Sequence, residues 1–251
     1  MNSIVLENLT FGFQNQSSII DNLSYTFPSN KTVSIIGHSG CGKSTLLQLI
    51  SGVLEPSKGK VFLQDKEKRL GEIAYMQQND LLLPWLNVQE NVQLPLKIKN
   101  KKNAETYDDM LQKAKVLGIE NYLNFYPKEL SGGLRQRVAF LRTILQNSNF
   151  ILLDEPFASL DAIKRIEIYS WIENLKDYIN KSIILVTHDI EEALFLSDQI
   201  IVMDSGFDNF KFKMDILMPH PRKTSVIVEK KFIEQKTLLT KKLDEVKKND
   251  I

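Results

Sequence analysis

The feature that most constrains the fold is a glycine-rich segment between two apolar runs. Val33–Ile36 leads into Gly37–Thr45, and an apolar stretch over 46–50 follows until Gly52. This order matches the pattern G-x-x-x-x-G-K-[ST] in the strand, loop and helix setting that phosphate binding requires. Its glycines let successive backbone N–H groups face one anion, and the helix start adds the positive end of its dipole. The segment predicts an α/β chain that binds nucleotide phosphates.

Two side chains of this loop have the chemistry of a nucleotide site. Lys43 is spaced to reach the β- and γ-phosphates, and the Ser44 hydroxyl can bind Mg²⁺. His38 and Cys41 stand at free positions, whose side chains are expected to point away from the phosphates or into solvent. For both we favour an incidental presence over a catalytic or redox role. The nucleotide-binding residues expected here are Gly37, His38, Ser39, Gly40, Cys41, Gly42, Lys43, Ser44 and Thr45.

Short apolar runs that end in turn residues alternate with helical patterns along most of the chain. Such runs are typical of strands buried in a sheet. The predicted strands are Ile4–Leu6, Val33–Ile36, Val61–Leu63, Ile73–Met76, Phe150–Leu153, Ile183–Val186 and Ile200–Met203. Within residues 161–179 one apolar helix face carries Ile168, Ile172, Leu175 and Ile179. The layout predicts an α/β fold with a mostly parallel core sheet.

Residues 79–148 interrupt this alternation with helical patterns alone. Asn87 followed by Glu90 predicts a capped helix start, and Asn103 predicts another, in a helix closed by Gly118. A further helix has an apolar stripe at Leu134, Val138, Leu141 and Leu145. We interpret residues 79–148 as an inserted helical subdomain.

Composition excludes several classes of protein. Lys and Arg total 32 against 31 Asp and Glu, so the net charge of +1 provides no global basic field for nucleic acid. No apolar run exceeds four residues, whereas a spanning helix needs about 20. The first ten residues do not resemble a secretory signal, and a single cysteine excludes a disulfide framework. A cytosolic location is expected.

Two further segments carry chemistry. The run 150–153 ends in Asp154 and Glu155, where nucleoside triphosphatases use one acid to hold Mg²⁺ and the next to polarise water. Ser131–Gly133 precedes the helix with the Leu134 stripe, so it is either a second anion site or an ordinary serine N-cap. The spacing alone leaves these two interpretations even.

The segment Leu130–Arg137, of sequence LSGGLRQR, closely resembles the signature of ABC-type ATPases, and the other motifs of that family follow in family order. Gly37–Thr45 resembles the Walker A loop, and Ser159-Leu160-Asp161 resembles the D-loop. The resemblance covers residues 1 to about 205. It departs from the family at Leu134, where glutamine or methionine is common, but leaves Ser131, Gly132 and Gly133 intact.

The resemblance implies a role for each matching residue. Asp154 and Glu155 take the places of the Walker B acid and the catalytic glutamate, and His188 takes that of the switch histidine. Gln78 is expected in the Q-loop, with Gln77 as the alternative register, and Phe13 on the adenine, with Phe11 as its competitor. The implied catalytic residues are Glu155, His188, Gln78 and Lys43. The implied Mg²⁺ ligands are Ser44, Gln78 and Asp154. Phe13, Ser131, Gly132, Gly133 and Asp161 complete the implied ATP site.

By the same resemblance the chain is a single ABC-type ATPase domain. Residues 1–78 and 149–205 form the expected P-loop core with a small antiparallel β-subdomain, and 79–148 the inserted helical subdomain. Residues 206–251 form a C-terminal extension that ends in an amphipathic helix. The apolar face of this helix carries Phe232, Leu239, Leu243 and Val246. Packing on the domain edge is the favoured role of that helix, with attachment to anionic lipid as the alternative.

The resemblance also implies partners. The family hydrolyses MgATP in a head-to-tail dimer, here a homodimer, with the signature of one chain closing over ATP on the other. Exporters of this family usually carry their membrane helices in the same chain as the ATPase, so for this chain a separate permease is expected. The chain is then expected at the cytoplasmic face of the membrane. A solute-binding protein would be an indirect partner. The alternative is a soluble, non-transport ABC ATPase acting on a protein or nucleic-acid assembly. A GTPase is disfavoured because Asn180–Ile183 lacks the acid of a guanine-binding motif.

The region after the Q-loop narrows the expected class. Leu81–Val88 and Glu90–Val92 resemble the corresponding region in importers of nitrate, sulfonates, taurine and pyrimidine vitamin precursors. This segment has two interpretations that are compatible with each other. One is core packing of the helical subdomain, and the other is a surface that receives a helix of the permease, with an exposed Trp85 as its anchor.

Overall fold

The computed structural model describes residues 3–13, 18–64, 66–67, 70–98, 104–146, 148–158, 165–166, 168–173, 181–204 and 209–248. Its main sheet has six strands in the order β5-β6-β7-β3-β8-β9, in which all pairs are parallel except β8 with β9. These strands are β3 (Thr32–Ile36), β5 (Ala74–Met76), β6 (Phe150–Asp154), β7 (Ser182–Val186), β8 (Gln199–Met203) and β9 (Phe210–Asp215). The predicted α/β fold with a mostly parallel sheet is confirmed.

The central strands position the functional loops. Every residue of β3, β6 and β7 is buried, as expected of strands covered on both faces. Since β6, β7 and β3 are parallel neighbours, their carboxyl ends lie at one edge of the sheet. The segments that follow them, beginning at Gly37, Glu155 and Thr187, therefore meet there.

A second sheet is small and antiparallel, with the order β2-β1-β4. It consists of β1 (Ile4–Phe11), β2 (Ile20–Phe27) and β4 (Lys58–Leu63). Its buried side chains share one core with the helix after the glycine-rich loop, including Leu6, Leu23, Val61 and Leu46. Strands β2 and β9 were not among the predicted strands.

The helices are α1 (Lys43–Ser51), α2 (Val88–Ile98), α3 (Ala104–Val116), α4 (Gly132–Ile144), α5 (Ile190–Leu196) and α6 (Lys230–Lys248), and α2 to α4 lie between β5 and β6 in the chain. The predicted cap of α2 is confirmed: the Glu90 amide donates to Asn87 Oδ1 at 2.8 Å, and the Asn87 amide to Glu90 Oε2 at 3.0 Å. Asn103 lies outside the described residues. Gly118 follows α3 with a φ of 62°, a conformation that favours glycine.

The predicted apolar stripes face the core. Val138, Leu141 and Leu145 of the α4 stripe are buried, and Leu134 packs partly buried against them. Ile168 and Ile172 are also buried, in the helical residues 168–173, whereas Leu175 and Ile179 lie outside the described part of the chain.

The C-terminal helix packs on the domain, as favoured from its sequence. Phe232 and Leu239 of α6 are fully buried, and Leu243 and Val246 pack partly buried beside them. The buried Arg222 guanidinium donates to the carbonyls of Leu194, Phe195 and Ser197 at 2.8–2.9 Å, which ties the segment before α6 to the end of α5. Over the described ranges, every helix is too short or too polar to span a membrane.

Candidate functional site

The glycine-rich loop joins β3 to α1 in a conformation that its glycines permit. Gly40 and Gly42 have φ angles of 86° and 99°, in the left-handed region that glycine adopts without strain. A Cβ on Gly37 would lie 2.2 Å from the Met203 carbonyl oxygen, so the first glycine is required by close packing on β8. The loop thus wraps its backbone around the N-terminus of α1, the arrangement that favours a bound anion.

An open cavity of about 350 Å³ lies in front of this loop. It has room for several phosphate groups and adjoins the carboxyl ends of the central strands. Its lining residues are Ile19, Ser39, Gly40, Gly42, Lys43, Ser44, Thr45, Gln78 and Glu155.

Lys43 provides the cation of the cavity. Its Nζ atom donates to the carbonyl oxygens of Gly37, at 2.9 Å, and His38, at 2.7 Å. The side chain is therefore held against the loop by neutral acceptors, without a carboxylate partner in these two contacts. An anionic phosphate is a stronger acceptor for an ammonium group than a neutral carbonyl. The geometry suits exchange of these contacts for phosphate.

Asp154 ends β6 beside Ser44. The Ser44 hydroxyl donates to Asp154 Oδ1 at 3.0 Å, and the Tyr75 hydroxyl donates to Oδ2 at 3.3 Å. Burial raises the pKa of the Asp154 carboxyl, although these two hydrogen bonds oppose the shift. A hydroxyl and a carboxylate oxygen are hard ligands of the kind that Mg²⁺ prefers. The donor chemistry of this pair, which adjoins the cavity, fits a magnesium ion.

Glu155 brings together two other predicted catalytic residues. Gln78 Nε2 donates to Glu155 Oε2 at 3.2 Å, and His188 Nδ1 lies 3.5 Å from Oε1. Glu155 has a φ of 45°, unusual for a side-chain-bearing residue, and its amide donates to the Val186 carbonyl at 2.8 Å. Backbone strain held in place in this way is typical of functional sites. Gln78 lines the cavity, whereas Gln77 is absent from its lining.

The two free positions of the loop face away from the cavity. Cys41 is fully buried in the core shared with the small sheet, so of the two expected directions its side chain takes the one away from the phosphates and not the one into solvent. Burial raises the pKa of its thiol. His38 Nε2 lies 2.7 Å from Oδ1 of the buried Asp204. These contacts agree with a packing role for both side chains.

Phe13 and Phe11 differ in exposure. Phe13 is 46% exposed, whereas Phe11 is partly buried against the core of the small sheet. Their rings meet edge to face, with centroids 5.2 Å apart. Phe13 does not line the cavity, but of the two rings it has the more accessible face.

Ser131 caps α4 and is exposed. Its Oγ accepts a hydrogen bond from the Leu134 amide at 3.3 Å, and Gly132 begins the helix. Ser131, Gly132 and Gly133 are not part of the cavity lining, so the helix tip is a separate location for an anion. Asp161, with the rest of the predicted D-loop, lies outside the described residues.

A family model described as ABC transporter matches residues 20–158. The match covers more than half of the chain and includes the phosphate loop, Ser131–Gly133, Asp154 and Glu155. The chain belongs to the ABC transporter family.

Curated relatives in this family are ATP-binding proteins of importers. The formylaminopyrimidine import ATP-binding protein ThiZ of Halalkalibacterium halodurans is 39% identical over 217 residues, covering 85% of this chain and 86% of its own. The aliphatic sulfonates import ATP-binding protein SsuB 1 of Shouchella clausii is 38% identical over 210 residues, covering 83% and 80%. The taurine import ATP-binding protein TauB of Rhizobium johnstonii is 38% identical over 186 residues, covering 73% and 71%.

A solved structure supports the same conclusion for the fold. The ATP-binding cassette MJ0796, in a dimeric post-hydrolysis state bound to ADP and Pi, matches with a TM-score of 0.76 and 28% identity, covering 86% of this chain and all of that one. The predicted fold of an ABC-type ATPase, and its assignment as an ATPase, are confirmed.

Sequence reasoning missed several residues that organise this ABC ATPase site. Asp80 Oδ2 accepts a hydrogen bond from Arg135 Nε at 3.0 Å, and the Asp80 carbonyl accepts one from Arg142 at 2.6 Å. These contacts join the segment after Gln78 to the helix that begins at the signature. The position of Asp80 two residues after Gln78 was a usable signal, but its arginine partners lie more than 50 residues away in the chain.

Trp85 lies on the surface of the helical region. Its side chain is 70% exposed, as an anchor for a partner requires, whereas Leu82 and Val88 of the same segment are buried in the core. The buried Asn91 holds the loop that carries Trp85. Asn91 Nδ2 donates to the carbonyls of Leu83, Leu86 and Asn87 at 2.9–3.1 Å, and Oδ1 accepts from the Leu83 amide at 2.8 Å. An exposed tryptophan on a loop fixed in this way is typical of a binding surface.

Proposed function

We propose that this chain is the ATP-binding subunit of an importer and hydrolyses MgATP to power solute uptake through a separate membrane permease. The observation that carries the proposal is the meeting of Glu155 with Gln78 and His188 beside the cavity that Lys43 lines. A base, an amide and an imidazole next to a phosphate cavity suit in-line attack of water on a phosphoryl group.

Nucleotide binding is assigned to the loop and to one aromatic ring. The N–H groups of Gly37–Thr45 bind the phosphates, and Lys43 exchanges its carbonyl contacts for the β- and γ-phosphate oxygens. The exposed face of Phe13 stacks on adenine. Because hydrogen bonds between a cation and an anion are stronger than those to neutral carbonyls, this exchange favours the bound state.

Ser44, Asp154 and Gln78 are the side chains that would hold Mg²⁺. When bound, the ion neutralises charge on the phosphate oxygens. The hydrogen bond of Tyr75 with Asp154 fixes the carboxylate toward Ser44. The positions of these oxygens are thus set before nucleotide arrives, which lowers the ordering cost of binding.

Glu155 is assigned as the general base. Its carboxylate orients a water and accepts one proton from it as the water oxygen attacks the γ-phosphorus. The bond from that phosphorus to the β–γ bridging oxygen then breaks, which yields ADP and inorganic phosphate. His188 steadies the charge of the transition state. Its place 3.5 Å from Glu155 brings the imidazole to the reacting centre.

The complete site is proposed to need a second copy of the chain. Ser131 is exposed at a helix N-terminus outside the cavity lining, so its anion site is free to meet a nucleotide held by another molecule. In the proposed head-to-tail homodimer, Ser131–Gly133 of one chain closes on the γ-phosphate bound to the other. Hydrolysis then releases this contact and reopens the dimer.

Trp85 is the proposed anchor for the permease, at the cytoplasmic face of the membrane. Opening and closing of the dimer would reach it through Gln78 and the Asp80–Arg135 contact. The relatives named for formylaminopyrimidine, sulfonates and taurine support a solute in the nitrate, sulfonate, taurine or pyrimidine-precursor class. In this proposal an extracytoplasmic binding protein delivers the solute, and no nucleic acid is involved.

The test is co-purification from detergent-solubilised membranes of the source cell, with the tagged chain as bait. A polytopic membrane protein that is retained by the parent chain and lost with Trp85→Ala supports the proposal. Trp85→Ala should hydrolyse ATP like the parent when isolated, because Trp85 is exposed and is not among the residues that line the cavity. Retention of only soluble proteins would overturn the importer assignment and favour a soluble ABC ATPase.

A further inference from the structure

The backbone on either side of His188 is tied to one buried carboxyl group. The Thr187 hydroxyl donates to Glu192 Oε2 at 2.8 Å and accepts a hydrogen bond from the Asp189 amide at 3.0 Å. The Thr187 amide donates to the Ile35 carbonyl of β3 at 3.2 Å. Thr187 thus fixes the start of the segment to the strand that precedes the phosphate loop, and Glu192 fixes Thr187.

The His188 ring has weaker contacts than the backbone of its neighbours Thr187 and Asp189. The His188 side chain is 59% exposed, and Nδ1 lies 3.5 Å from Glu155 Oε1. Its direction therefore depends on the neighbouring residues. On the far side, Asp189 Oδ1 accepts the amides of Glu191 and Glu192, and Arg165 donates to Oδ2 at 2.6 Å.

Glu192 is an acidic residue at a buried position of helix α5, which is unusual. It is 3% exposed, and its Oε1 has no hydrogen-bond partner in the described part of the chain. A buried carboxylate is costly, and leucine or glutamine would pack at lower cost. Burial raises the pKa of Glu192 to about 8, while the Thr187 hydrogen bond opposes the shift. The carboxyl is therefore mostly protonated near neutral pH.

The charged and titratable groups around Glu192 come from three elements. Asp189 lies at the start of its own helix α5, and Glu155 follows β6. Arg165 and Tyr169 belong to the helical residues 165–166 and 168–173. The two acids raise the pKa of Glu192, and Arg165 lowers it. Ionisation of Glu192 therefore places a new negative charge near Asp189 and Glu155, the two acids that neighbour His188 in the chain and in space.

We propose that Glu192 is a positioning residue for hydrolysis: through Thr187 it holds the segment 187–189 so that His188 faces Glu155. The proposal rests on the proposed role of Glu155 and His188. It adds a buried residue that does not line the cavity. As pH rises from 4.5, the ordinary pKa of the carboxyl, toward about 8, the stability contributed by the protonated form is progressively lost. In the folded chain Glu192 ionises as pH rises through about 8, and the Thr187 hydrogen bond favours this ionised form. The new charge repels Asp189 and Glu155, and this repulsion displaces the segment that holds His188.

The test compares Glu192→Ala, Thr187→Val and Glu192→Gln in steady-state ATP hydrolysis from pH 6 to pH 9.5. The first two should lower kcat by about 10- to 100-fold, the range for a small misplacement of a catalytic group. Their KM for ATP should stay within about twofold of the parent, because the phosphate loop is untouched. Glu192→Gln keeps a neutral acceptor for Thr187, so at pH 7 its kcat should stay within about threefold. The parent should lose kcat as pH rises through about 8, and Glu192→Gln should show no such decline.

A matched control uses another buried acid. Glu173 is 1% exposed and bonds to His220 and to the Arg222 amide beneath the C-terminal segment, away from the cavity lining. Glu173→Gln should change the thermal midpoint while leaving kcat and its pH profile within about twofold of the parent. If Glu173→Gln alters the pH profile as Glu192→Gln does, the effect is not specific to Glu192 and the proposal fails.

Two outcomes separate this proposal from the proposed function. If His188→Ala keeps parental turnover, the role of His188 is wrong, and the role of Glu192 fails with it. If His188→Ala is impaired while Glu192→Ala and Thr187→Val keep parental kcat, only the role of Glu192 fails. Equal damage in Glu192→Gln and Glu192→Ala would also overturn it, since an acceptor for Thr187 would then not be what matters.

Discussion

Gln78 and Glu155 are joined by a hydrogen bond of 3.2 Å, although 77 residues separate them in the chain. Gln78 follows β5 and Glu155 follows β6, and these strands are parallel neighbours. The bond therefore links the start of the helical region to the strand that carries the acids. If a change at the phosphates moves Glu155, Gln78 must either move with it or lose the hydrogen bond. The cavity is thereby connected directly to the helical region.

Replacing the Glu155 carboxylate should separate binding from hydrolysis. Glu155→Gln retains an oxygen that can accept from Gln78 and leaves Lys43 untouched, so nucleotide affinity should stay near that of the parent. Turnover should fall by roughly 10²–10⁴, the usual effect of losing a general base. Calorimetric titration with ADP and a phosphate-release assay measure the two quantities. Turnover close to the parent value would remove Glu155 from its assigned role.

Removing the Lys43 ammonium should weaken nucleotide binding itself. The two carbonyls that now accept from Nζ belong to Gly37 and His38, which are both partly exposed, so we expect water to replace the ammonium group and the fold to tolerate Lys43→Ala. Loss of charge-assisted contacts to phosphate should weaken affinity by about 10- to 100-fold. Lys31→Ala, at an exposed lysine outside the cavity lining, is the matched control and should bind like the parent. Unchanged affinity in Lys43→Ala would contradict the assignment of the phosphate loop.

The parts of the site that the sequence predicts are those with fixed local spacing. The phosphate loop, Asp154 and Glu155, and the Ser131 cap each depend on a few consecutive residues at the end of a strand or the start of a helix. The phosphate loop meets Asp154 and Glu155 at one sheet edge because the strands before them pair in parallel, which alternating strands and helices indicate. Such features require no knowledge of distant partners.

The contacts that the sequence does not predict join residues far apart in the chain. The Tyr75 hydroxyl reaches Asp154 because β5 pairs with β6, and Arg135 reaches Asp80 because α4 packs beside the segment after Gln78. Strand β2 lacks a clean alternation because its pairing with β1 contains register shifts. Strand β9 does alternate, with Phe210, Phe212 and Met214 separated by lysines, so its pattern was a usable signal.

The buried Asn91 makes a stability prediction possible. Asn91→Ala would leave the carbonyls of Leu83, Leu86 and Asn87 without the donor that they share, and should lower the free energy of unfolding by about 1–3 kcal/mol. Urea denaturation measures the change. The exposed Asn124 provides the control, since Asn124→Ala should stay within about 0.5 kcal/mol of the parent. Equal stability of the two variants would show that the polar network of Asn91 does not hold the Trp85 loop.

A large side chain in place of Ser131, at the N-terminus of α4, should stop ATP hydrolysis without affecting nucleotide binding by the same chain. Ser131→Arg removes the cap, at a cost of about 0.5–2 kcal/mol in stability, and fills the space where a partner's phosphate would lie. Because Ser131 is outside the cavity lining, the isolated variant should bind ADP like the parent yet show no turnover. Ser57→Arg places the same side chain at an exposed serine between α1 and β4, and should hydrolyse ATP normally.

A mixing experiment decides whether Ser131 acts on its own nucleotide or on that of a second copy. In a head-to-tail pair of one Ser131→Arg chain and one Glu155→Gln chain, the first chain's loop and Glu155 meet the second chain's intact Ser131. One complete site is thereby restored, and the mixture should hydrolyse ATP although neither variant does so alone. If Ser131 served its own chain, each chain in the mixture would still contain a defective site. A mixture as inactive as its components, while calorimetry shows that both bind nucleotide, would therefore contradict the shared site.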